Sequence, residues 1–144
     1  MKENNPYRED REQIRELLKQ YENLKHGRQH SFIDEEAFEK IIGYFQEKED
    51  LVKAMEAAEM AAEQYPYSGQ LLIKKADLLL ANRQYKEALG VLEQAELFDS
   101  RDINLYILKT DAYLALDQQE QAVELLEEAL AFFEGEEKIE LLFE

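Results

Sequence analysis

Cysteine is absent from the 144 residues, so neither a disulfide framework nor a thiolate zinc site can form. That composition fits a reducing compartment, and a cytoplasmic location is the expectation. Hydroxyl nucleophiles are scarce as well. Serine occurs only at Ser31, Ser68 and Ser100, and threonine only at Thr110, all but Thr110 at predicted turns or caps. No G-x-S-x-G, P-loop or G-x-G-x-x-G segment is present. Only two prolines and five glycines interrupt the chain. The opening MKENNPYRED has no apolar stretch like a signal peptide, and no run approaches the length of a membrane span.

Positive charge is also in short supply. Seventeen Lys and Arg stand against 33 Asp and Glu, a formal net charge of −16. Such a field repels nucleic acid and anionic membrane and favours basic partners. What fills the chain instead is Ala, Leu, Glu, Lys and Gln, good helix formers, with 45% hydrophobic residues to build a core. The expected class is all-α.

The apolar residues recur with a period of 34. Ala54, Ala88 and Ala122 share one register, and Ala61, Ala95 and Ala129 a second. Phe38, Leu72 and Tyr106 form a third; Phe45, Leu79 and Tyr113 a fourth; Ala58, Leu92 and Leu126 a fifth. The pattern predicts helix pairs at 34–47 and 50–64, 68–81 and 84–97, and 102–115 and 118–132. Asp34, Ser68 and Asp102 stand where N-caps are wanted, able to accept from free backbone N–H groups. Short turns between the helices imply antiparallel neighbours.

A 34-residue period with alanines in these registers resembles the tetratricopeptide repeat. Numbering the units from Glu35, Gly69 and Ile103, position 20 is Ala54, Ala88 and Ala122, and position 27 is Ala61, Ala95 and Ala129. Pro66 occupies the proline position 32 of the first unit. The chain departs from the family at position 8 (Ile42, Ala76, Thr110), at position 4, which is never Trp, and at position 32 of the later units (Ser100, Glu134). The resemblance implies a right-handed α-solenoid of three helix–turn–helix units, 35–68, 69–102 and 103–136, in which the alanines mark close helix contacts.

Outside the repeats, residues 1–33 are expected to hold a helix over 6–25 and a linker. Its apolar face, Ile14, Leu17, Leu18, Tyr21 and Leu24, suits either a cap over the first unit or a dimerisation surface. Residues 137–144 read as the start of a further helix, exposing Ile139, Leu142 and Phe143. That edge would continue in a longer array or pair with another chain, giving a homo-oligomer through the C-terminal edge.

Chemistry is sparse. His26 and His30, four apart in HGRQH, could in principle hold a metal with Asp34 or Glu35, but Gly27 lies between them and no H-E-x-x-H exists. Solvated linker residues are the plainer reading. FDSRDIN fails the calcium-loop pattern. No catalytic, metal or cofactor residue is assigned, and the chain is read as a non-enzyme.

The resemblance implies instead a groove lined by unit positions 2, 5, 9 and 12 of each first helix. These are Glu36, Glu39, Gly43 and Gln46; Gln70, Ile73, Asp77 and Leu80; and Asn104, Ile107, Asp111 and Leu114. Ile73, Leu80, Ile107 and Leu114 either complete packing between neighbouring first helices or offer apolar spots to a ligand. Glu36, Glu39, Asp77 and Asp111 ring them with negative charge. The expected partner is a protein or peptide, basic or amphipathic, held by a scaffold without catalysis. The competing expectation is a structural, self-associating spacer within a longer repeat protein. Chaperone-binding members of the family clamp a peptide carboxylate with Lys, Arg and Asn at positions 2, 5, 6 and 9. Here those positions supply only Lys40, Lys74 and Asn104, offset by four carboxylates, so that subclass is not expected.

Overall fold

A computed structural model describes residues 6–27, 32–99 and 101–133, with side chains from residue 11 onward. Seven α-helices and no strand occur among the described residues. They are α1 (Pro6–Lys25), α2 (Glu35–Glu47), α3 (Leu51–Gln64), α4 (Gly69–Ala81), α5 (Tyr85–Phe98), α6 (Ile103–Ala115) and α7 (Gln119–Phe132). Each expected helix is present within a residue or so of its expected ends. The differences arise because the cap residues were counted within the helices. The chain divides into two compact units between Ala61 and Ala62, inside α3.

Local signals explain where the helices begin. Asp34 accepts from the Ala37 N–H at 2.8 Å, Ser68 from Leu71 at 3.3 Å, and Asp102 from Asn104 at 2.8 Å. Each bond satisfies one of the donors that a helix start leaves unpaired, about 1 kcal/mol apiece. The ends of α2, α4 and α6 are equally regular. The N–H of Asp50, Gln84 and Gln118 reaches back to the carbonyl of Phe45, Leu79 and Tyr113, and that of Glu49, Arg83 and Asp117 to Gln46, Leu80 and Leu114. These paired bonds are the Schellman closure, repeated at intervals of 34, and they turn the chain sharply into the next helix.

In the first unit α1 packs on α2. Tyr21, 1% exposed, lies with its ring centroid 6.3 Å from that of Phe45, above the buried Phe38, Ile41 and Ile42 of α2. Ile14, Leu17, Leu18 and Leu24 are half-buried on the same helix, as one apolar face requires. Lys25 closes this unit by pairing with Glu56 of α3 at 3.2 Å.

In the second unit α4 packs on α5 and α6, α5 on α6, and α6 on α7. Ala88, Ala95, Ala122 and Ala129 are buried here, as Ala54, Ala57, Ala58 and Ala61 are in the first unit. The alanine face is therefore interior rather than exposed, and a small side chain lets two helix backbones approach. The tightest approach is at Gly69, where an added Cβ would lie 2.8 Å from the Asp99 Cβ. Lys109, buried on α6, pairs with Glu96 of α5 at 3.0 Å and so ties two successive helix pairs together. Thr110 fills its position by donating its hydroxyl to the Tyr106 carbonyl at 2.8 Å.

Candidate functional site

The expected groove residues fall in both units. On α2 of the first unit, Glu36 is exposed, while Glu39, Gly43 and Gln46 are half-buried. The remainder line α4 and α6 of the second unit, two helices in direct contact. Ile73 is buried at 7% exposure, consistent with packing between first helices. Leu80 and Ile107 are half-buried. Leu114 is 53% exposed, with Asp111 exposed one turn earlier on the same helix. Asp77 is exposed on α4, and both of these carboxylates hold contacts of their own. Along α4 and α6 the apolar character thus becomes accessible towards the C-terminal ends.

Gln70 and Asn104 sit at the opposite end of these helices, both exposed. The Gln70 amide donates to the Asp99 carboxylate at 2.9 Å and to that of Asp102. Because Asp102 also caps α6, Gln70 links the start of α4 to the end of α5 and the start of α6. Its donors are engaged in holding the repeats in register. The backbone N–H of Asn104 is in turn the one that Asp102 accepts.

No cluster of three metal-ligating side chains occurs among the described residues. His26 pairs with Glu22 at 3.2 Å, while His30 lies outside the described residues, as do 137–144. No helix is long and apolar enough to cross a membrane among the residues described.

Two features have no counterpart in the sequence reading. In the first unit, Arg11 and Ile14 of α1 line a cleft with Lys40, Gly43, Tyr44 and Glu47 of α2 and with Lys48. The cations come from positions 29 and 37 residues apart from Arg11, so no basic run announces them. In the second unit, Tyr67 (76% exposed) meets Phe98 edge to face at 5.5 Å, beside Leu97 (80% exposed). Leu97 and Tyr67 fall outside the five repeating registers, and a strictly periodic reading passes over them.

No family model matches the chain, and no curated protein matches it. Solved structures do. The Arabidopsis OM64 TPR domain superimposes with a TM-score of 0.65 at 15% identity, covering 74% of this chain and 88% of that one. The second TPR domain of human RPAP3, solved with an HSP70 peptide, gives 0.64 at 18% identity, covering 74% and 89%. The first TPR of Spaghetti (RPAP3), bound to the HSP90 peptide SRMEEVD, gives 0.63 at 17%, covering 74% and 88%. The fold is that of the tetratricopeptide repeat. In a tetratricopeptide fold, α2, α4 and α6 are the first helices of their pairs, and the acidic and apolar residues above lie on them.

Proposed function

We propose that this chain is a non-catalytic protein-interaction scaffold that holds a basic or amphipathic segment along the α4 and α6 face. The observation that carries the reading is Leu114, a large apolar side chain left half in solvent beside an exposed carboxylate. With Ile107, Leu80, Asp77 and Asp111 it forms an apolar strip edged by negative charge, suited to aliphatic contacts flanked by Lys or Arg. Structural neighbours bound to peptides support a peptide as the class of ligand. Their peptides, SRMEEVD and SGPTIEEVD, are acidic, whereas the strip here is acidic itself, so the charge of the segment is reversed.

A labelled Leu/Lys amphipathic helix is a sufficient probe. Binding is expected to weaken with salt and to fall at least about tenfold in Asp77→Lys/Asp111→Lys. Glu93→Lys/Glu124→Lys alters net charge equally at exposed positions of α5 and α7, and should bind like the parent. Equal losses in both variants would reduce the effect to overall charge and remove the assigned face.

A second reading, self-association as a spacer, draws on exposed Val123 and Phe132 of α7. A concentration-dependent mass that Val123→Lys/Phe132→Lys abolishes would favour it.

A further inference from the structure

The cleft between α1 and α2 runs against the charge of the rest of the molecule. Its volume is about 750 Å³, within the range of peptide- and ligand-sized sites. Arg11, Lys40 and Lys48 stand on its walls against one carboxylate, Glu47, although acids outnumber bases almost two to one in the chain. Ile14 and Tyr44, both half-buried, supply apolar surface between the cations. Gly43 leaves the floor open: a Cβ there would meet nothing within 4 Å.

The lysines are held loosely. Lys40 reaches Glu36 only at 3.9 Å and Gln13 at 3.5 Å, both exposed contacts that contribute little. Lys48 lies over the Tyr44 ring, 5.6 Å from its centroid, which keeps its ammonium beside the apolar surface. An incoming carboxylate could take both without breaking a buried pair.

We propose that this cleft binds an acidic peptide segment, with carboxylates on Lys40 and Lys48 and an aliphatic side chain between Ile14 and Tyr44 over Gly43. Charge complementarity selects this occupant. A basic segment would meet three cations, and a purely apolar one would leave them desolvated and unpaired. Arg11 lies outside the repeats and Lys48 beyond the end of α2, so the cleft is not the carboxylate clamp of the chaperone-binding subclass. The inference is independent of the strip on α4 and α6, whose ligand carries the opposite charge.

The probe is a fluorescein-labelled peptide, Glu-Glu-Ile-Leu-Glu-Glu, titrated into the whole chain near physiological salt, where repulsion from distant carboxylates is screened. Saturable binding is expected, weakened at least about tenfold by Lys40→Glu/Lys48→Glu. Gly43→Leu gives a second, charge-neutral variant: it fills the cleft and removes a mid-helix glycine, so it should fold well and still lose the peptide. Asp77→Lys/Asp111→Lys should bind as the parent does, which separates this site from the other. The proposal is overturned if the parent fails to bind, if the Gln-for-Glu peptide binds equally, or if either cleft variant retains full affinity.

Discussion

Glu49, Arg83 and Asp117 hold φ values of 58°, 62° and 60°, the left-handed region that L side chains rarely adopt. Each is the residue at which a Schellman closure reverses the chain, a place where glycine is the usual choice. Arg83→Gly should therefore raise stability by about 0.5–1 kcal/mol, relief of the left-handed penalty exceeding the added chain entropy. An upward shift in the urea midpoint would show it. Tyr21 offers a second test. Its hydroxyl is buried without a hydrogen-bond partner, and burial, then Glu56 and Glu22, push its pKa up to about 12 from 10.0. The folded chain retains this proton where the unfolded chain releases it, so stability should decline as pH rises from about 10 through about 12. Tyr21→Phe should lose that share of the decline and be at least as stable at neutral pH, since an unsatisfied group is removed. Difference denaturation curves at pH 8 and pH 11 would measure both effects.

At the scale of the helices, contact distance rather than bulk of side chain sets the packing. Ala88→Leu should overpack α5 and cost about 1–3 kcal/mol, while Glu93→Leu, exposed on the same helix, should change stability little. Gly69→Ala should also destabilise, because its Cβ would meet the Asp99 Cβ and the end of α5, neither a flexible side-chain tip. Thermal melts of the three variants would decide the matter, and equal melting temperatures would contradict the assigned register. Helix starts and the alanine contacts were legible in the sequence because they depend on residues near in the chain and on one period. The left-handed caps were not, since Glu, Arg and Asp give no hint of a positive φ. Gln70 likewise reads as a surface polar residue until Asp99 and Asp102, about thirty residues later, are brought to its amide.

At the scale of the molecule, a net charge of −16 is unevenly deployed. Carboxylates accompany the apolar strip of α4 and α6, while three cations gather in one cleft of the first unit. The strip could be listed from the sequence because the repeat fixes which positions share a face. Its gradient from buried Ile73 to exposed Leu114 could not, because it depends on how closely α4 and α6 pack at each turn. The direct test is amide chemical-shift mapping of the isotope-labelled chain with the Leu/Lys helix. The account predicts shifts concentrated at Asp77, Leu80, Ile107, Asp111 and Leu114. Shifts confined to the outer positions of α5 and α7, such as Glu93 and Glu124, or none at saturating peptide, would contradict it.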